Sequence, residues 1–144
     1  QLDLPHLQSQ QDLERAQTGI QDFLAKYVPL EEAGMLEVAA NEALNNSFFT
    51  GHSTSLRLRR CGNRLSIRVK DDGPGFDAPK MLRKLQSTSA EAWYDDIGLN
   101  EHGRGILLMY AACDRLAYNA KGNEVLLLRK LPSASPQSNR CSVL

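Results

Sequence analysis

The stretch that most constrains this chain runs from Leu65 to Asp77, Leu-Ser-Ile-Arg-Val-Lys-Asp-Asp-Gly-Pro-Gly-Phe-Asp. Leu65, Ile67 and Val69 alternate with Ser66, Arg68 and Lys70, the two-residue period of a strand with one buried face. The next position on the buried parity is Asp71. A carboxylate is therefore aimed at the core, where it needs a donor, because burying it unpartnered is costly. Asp72-Gly73-Pro74-Gly75 follows, a sharp turn whose glycines let backbone approach another molecule closely. Two readings stay open on these residues. Asp71 closes a strand by capping an Asp-Gly turn, or it is the acceptor at the floor of a small-molecule pocket.

A second polar signal lies upstream. The spacing predicts a helix from Leu30 to about Phe49, ended on its N-terminal side by Pro29. At about 100° per residue, Met35, Ala39, Glu42, Asn46 and Phe49 share one stripe, flanked by Leu36, Ala40 and Ala43 on one side and Val38 on the other. Glu42 and Asn46 thus sit within an apolar arc, one turn apart. The bland explanation is a self-satisfied Glu–Asn pair; the sharper one is a polar pair facing the same pocket as Asp71. A third signal is Gly103-Arg104-Gly105, placed before an almost wholly apolar helix, Ile106 to Cys113. Free N–H groups and the positive end of the dipole make such a start a natural anion site.

The remaining chain supplies a scaffold. Gln1 to Leu4 reads as a short strand that Pro5 ends. An amphipathic packing helix spans about Leu7 to Tyr27. Leu56 and Leu58 alternate with Arg57 and Arg59, and Cys61-Gly62-Asn63 turns this strand into the one that ends at Asp71. The basic side chains of that hairpin are explained by a solvated sheet face, with a docking face for an acidic partner as the alternative. Ala78 to Gln86 forms a short helix. Residues 87–102 have no period, and their length suits a lid. Arg115 to Asn119 and Glu124 to Lys130 read as two strands about a Lys121-Gly122-Asn123 turn. From Pro132 to Leu144 a disordered tail is expected.

With 144 residues, the chain suits one domain with a real core. Lys and Arg equal Asp and Glu at 17 each, so charge gives no general case for nucleic acid or membrane. No apolar run is long enough to span a bilayer, and no signal peptide is visible. The cysteines, Cys61, Cys113 and Cys141, form no C-x-x-C and fit a reducing cytoplasm better than a disulfide framework. The first residue is Gln, which fits the C-terminal domain of a longer regulator.

Asn41-Glu42-Ala43-Leu44-Asn45-Asn46, Val69-Lys70-Asp71-Asp72-Gly73-Pro74-Gly75-Phe76-Asp77 and Glu101-His102-Gly103-Arg104-Gly105-Ile106 occur in that order. Each alone is weak. Together they resemble the three ATP-binding boxes of the GHKL superfamily, the Bergerat fold, and within it the bacterial anti-sigma-factor serine-protein kinase group. The likeness covers residues 1–131, leaving 132–144 as the tail. It implies an α+β two-layer sandwich with helices on one face of a mixed, mainly antiparallel sheet and ATP between the layers.

By that resemblance, Glu42 is the catalytic base and Asn46 the Mg²⁺ ligand. Asp71 accepts from the adenine amino group, Gly73 and Gly75 let the base and ribose lie against backbone, and Gly103, Arg104 and Gly105 hold phosphate. The implied activity is an ATP-dependent protein serine/threonine kinase of a partner-switching system. It would phosphorylate a STAS-type anti-sigma-factor antagonist and bind a sigma factor or similar regulator, with homodimerisation left open and no nucleic acid or membrane partner. Glu101 departs from relatives that carry a basic residue there, with Arg104 as the substitute. The alternative is an ATP-binding interaction module with little or no kinase activity.

Overall fold

The computed structural model describes residues 1–48, 53–87 and 101–132, the side chains of 101–104 excepted. In chain order the elements are β1 (Leu2–Leu7), α1 (Gln10–Tyr27), α2 (Leu30–Phe48), β2 (Thr54–Cys61), β3 (Arg64–Asp71), α3 (Ala78–Ser87), α4 (Glu101–Ala112), β4 (Arg115–Tyr118) and β5 (Glu124–Lys130). The expected lid over 87–102 falls almost wholly outside the described residues, as does the expected tail.

Helix α1 starts where Ser9 accepts from the Asp12 amide and Asp12 accepts from the Ser9 amide, a capping box that satisfies two end donors. It therefore begins three residues later than the apolar period indicates, because Leu7 still belongs to β1. Its buried stripe is Ala16, Ile20, Phe23 and Leu24. The helix stops at Val28, before Pro29. Helix α2 buries Leu36, Ala39, Ala40, Ala43, Leu44 and Ser47, and its alanines let neighbours approach closely.

The five-stranded sheet has the order β1-β2-β3-β5-β4. The expected mixed sheet is antiparallel at every described pairing. The helical connection does leave β3 and β4 parallel to each other, but β5 inserts between them, so no parallel strands are neighbours. Strand β1 also runs past Pro5 to Leu7, with an irregularity between Leu4 and Leu7 and a positive φ of 59° at His6. An edge strand tolerates Pro because its missing N–H can face away from the ladder.

Leu56 and Leu58 of β2, Leu65 and Ile67 of β3, and Leu127 of β5 point into a core closed by α1, α2 and α4. Each such buried side chain contributes roughly 1.5–3 kcal/mol of transfer free energy. Arg129 of β5 pins the far ends of the helices. Its guanidinium donates to Glu32 of α2 at 2.7 and 3.0 Å and lies 3.6 Å from Asp114, just beyond α4. Helices α2 and α4 are thereby antiparallel, with Glu42 of one beside Gly105 of the other. No described helix is long and apolar enough to cross a membrane. Among the described residues, Cys113 is a free thiol.

Candidate functional site

Strand β3 carries its buried parity to the end: Leu65, Ile67, Val69 and Asp71 all face the core side. Asp71 is 9% exposed. Its Oδ1 accepts from the Gly73 amide at 2.7 Å, and its own amide donates to the Asn123 carbonyl at 2.9 Å. The Asp-Gly turn expected from the sequence is thus real. It uses one carboxylate oxygen, and Asp71 also lines a cavity of about 260 Å³.

That cavity lies between the layers. Ala43, Asn46 and Ser47 come from α2, Val69 from β3, and Ile106 and Met109 from α4. Pro74, Gly75 and Phe76 close one side, with Tyr118 and Gly122–Val125 beneath. The lining is mostly apolar, with a few polar atoms at fixed places, the character of a small-molecule site.

Two glycines make the rim possible. Gly75 and Gly122 have φ of 74° and 82°, conformations that side chains rarely adopt. A Cβ on Gly75 would strike the Lys121 carbonyl, and one on Gly122 would strike the Phe76 backbone. The β3–α3 loop and the β4–β5 turn are therefore interlocked backbone to backbone.

Asn123 holds the same junction from below. It is buried, and its Nδ2 donates to the carbonyls of Asp71 at 2.8 Å and Gly73 at 3.4 Å. Asn119 steadies it, donating from Nδ2 to Asn123 Oδ1 at 2.7 Å and accepting from the amides of Gly122 and Asn123. From the sequence this segment is only a turn; the Asn-x-x-x-Asn spacing across Lys121-Gly122 was its one visible sign. Tyr118 was missed as well. It meets Phe76 edge to face, with centroids 5.0 Å apart, and burial pushes its phenol pKa up.

Glu42 and Asn46 converge on Gly105. An ideal Cβ built there would lie 2.8 Å from Glu42 Oε2 and 3.5 Å from Asn46 Nδ2. No hydrogen bond joins the two side chains among the described residues, so the self-satisfied pair is not formed. Asn46 lines the cavity, whereas Glu42, one turn earlier, is not among its lining residues and lies against Gly105. Gly73 sits behind Asp71 as its donor.

Helix α4 corrects one expectation. It starts at Glu101, so Gly103 and Gly105 lie within its first turns and not in a loop before it. A Cβ at Gly105 would displace the tip of Glu42, so the glycine leaves that carboxylate its place. The first four amides, the ones a helix leaves unpaired, then belong to Glu101 to Arg104. Among the described residues no group of three or more His, Cys, Asp or Glu is placed to cage a metal. The polar atoms beside Gly105 are the Glu42 carboxylate oxygen and the Asn46 amide nitrogen.

Against this geometry, the model of the histidine kinase-like ATPase domain matches residues 8–129, and the chain belongs to that family. Its fold is shared with a chain of the SiaB–SiaC complex from Pseudomonas aeruginosa, at a TM-score of 0.68, 15% identity and 88% coverage of both chains. No curated protein matches the sequence.

Proposed function

We propose that this domain binds ATP in the cavity beside Asp71 and transfers the γ-phosphoryl group to a serine or threonine of a partner protein. The observation that carries this reading is the cavity that Asp71 and Asn46 line together, with Glu42 one turn from Asn46 and against Gly105. A site that only held a nucleotide would need no carboxylate aimed at the helix start.

The roles divide by chemistry. Asp71 accepts from the adenine amino group with the oxygen that Gly73 does not use. The apolar walls, Val69, Ile106, Met109 and Tyr118, bury the base. Gly73 and Gly75 let base and ribose lie against backbone, and the amides at the start of α4, with Gly103, Arg104 and Gly105, hold the phosphates. Mg²⁺ fits the donors present. That ion keeps several waters and binds through substrate phosphates plus one or two protein oxygens, so the Asn46 carbonyl oxygen is a sufficient protein ligand. When bound, Mg²⁺ neutralises charge that develops on the phosphates. Glu42 takes the proton from the incoming hydroxyl.

The partner reading follows from the family and from a fold neighbour that is itself found in a two-protein complex. The favoured partner is a STAS-type antagonist, with a sigma factor or comparable regulator bound in alternation, as in bacterial partner switching. Incubation with γ-labelled ATP and purified STAS-domain candidates tests it. Label on a Ser or Thr of one candidate, lost with Glu42→Ala, supports the kinase. ATP binding with no transfer to any of them returns the domain to an interaction module.

A further inference from the structure

The described helices cover one face of the sheet. Strand register fixes what stands on the other. One row across it reads Asp3, Arg57, Arg68, Leu126, Ala117. The next reads Arg59, Ser66, Leu128, Arg115. Beyond them, Lys70 stands beside Glu124, and Arg64 beside Lys130. Leu126 and Leu128 are half-buried at the centre, and the cations surround them.

This face is charged beyond what its own acids neutralise. Asp3 lies 3.3 Å from Arg57, and Glu124 lies 3.7 Å from Arg68 and 3.8 Å from Lys70. Arg59, Arg64, Arg115 and Lys130 have no ion-pair partner among the described residues. Arg57 and Arg68 are directly opposed across β2 and β3, an arrangement that destabilises a sheet when the charges are alike. The whole chain has 17 basic and 17 acidic residues, so the excess of cations on this face is local. On the helical side, α2 carries Glu31, Glu32, Glu37 and Glu42 with no basic residue of its own. A face shaped by solubility alone would mix the signs.

We propose that the outer face of the sheet docks an acidic protein surface with an apolar centre, on the side of the sheet opposite the nucleotide cavity. A leucine-centred patch inside a charged, arginine-rich rim is the anatomy of a protein interface. Nucleic acid fits less well. Asp3 and Glu124 sit within the patch, where they repel phosphates, and the leucines find no counterpart on a phosphate backbone. A second copy meeting through the same face would set cation against cation. A depression of about 560 Å³, lined by Arg57, Arg68, Lys70 and Glu124 among others, gives the partner a foothold at the Asp72 end. This proposal does not depend on phosphotransfer.

The test uses the whole domain and a designed helical peptide bearing a leucine stripe flanked by glutamates, with fluorescence anisotropy as readout. Binding is expected to weaken at least about tenfold for Arg57→Glu combined with Arg68→Glu, and likewise for Leu126→Ser. Glu31→Lys with Glu37→Lys, on the helical layer, leaves it unchanged. Thermal melts establish that each variant is folded. Three results overturn the proposal: an all-glutamate peptide binding as tightly as the leucine-striped one, a DNA duplex binding more tightly than the peptide through the same arginines, or a dimer in sedimentation that Arg57→Glu with Arg68→Glu dissolves.

Discussion

Glu42 Oε2 stands 2.8 Å from the point a Cβ on Gly105 would occupy. The contact joins two helices that are far apart in sequence, and it couples the carboxylate's position to the absence of a side chain on α4. Gly105→Ala is therefore expected to push the Glu42 carboxylate aside. A flexible side chain can yield at its tip, so the melting temperature should move little while ATP-dependent phosphotransfer drops at least about tenfold. A parent-like rate in this variant, with the fold intact, would separate Gly105 from the chemistry.

Glu42 and Asn46 should fail differently. Glu42→Ala should bind Mg-ATP nearly as well as the parent and transfer phosphate at least about a hundredfold more slowly, the lower end of what a general base supplies. Asn46→Ala should lose the Mg²⁺-dependent part of ATP affinity. Titrating ATP with and without Mg²⁺ against both variants, beside single-turnover rates, distinguishes the two roles. Parent-like transfer by Glu42→Ala would remove it from the mechanism.

Much of this architecture was legible beforehand, and the reason is periodic. The parity of Leu65, Ile67, Val69 and Asp71 carried into the structure without change, because a strand's alternation is local and a one-residue slip would expose every leucine. The stripe shared by Glu42 and Asn46 carried over only in part: both side chains meet Gly105, but Met35 and Val38 are each 46% exposed, and the buried face centres on Leu36, Ala40, Ala43 and Leu44. What stayed hidden is tertiary. Asn123 reads as a turn residue until the fold brings it beneath Asp71, 52 positions away in sequence. Tyr118 reads as a strand residue until Phe76 packs on it. The sequence places Gly103 to Gly105 before a helix because glycine is a poor helix former, whereas tight packing on α2 outweighs that preference. Strand β1 outlasts Pro5 because it lies at the sheet edge, a position the sequence does not reveal.

The interlocked glycines make a stability prediction. At Gly122, φ of 82° and the Phe76 backbone both forbid a side chain, so Gly122→Ala should lower unfolding free energy by at least about 2 kcal/mol. Gly34, an exposed residue within α2, has nothing within 4 Å of a built Cβ. Gly34→Ala should stabilise by about 0.5–1 kcal/mol. Urea unfolding of the two variants should bracket the parent, and the same sign for both would contradict the turn geometry.

Cys113 gives a pH prediction. Burial, then the Asp114 charge, raises its thiol from the ordinary 9.0 to about 11, and its Sγ donates to the Met109 carbonyl at 3.0 Å. A raised folded-state pKa contributes stability that is full below pH 9 and is lost as pH climbs towards 11. Unfolding measured across that window should fall more steeply for the parent than for Cys113→Ser, and iodoacetamide should modify native Cys113 slowly at neutral pH. Equal alkaline slopes would place the thiol in solvent.

The central claim is that the cavity holds ATP by its adenine through Asp71. Asp71→Asn keeps the shape and replaces an acceptor-only group with an amide that can present a donor where the adenine amino group must be met. A site built to hydrogen-bond loses strongly to such a mismatch. Calorimetric titration of Mg-ATP into the parent and into folded Asp71→Asn measures it directly. The account predicts an affinity loss of at least about thirtyfold, roughly 2 kcal/mol. Equal affinities for the two proteins would contradict it.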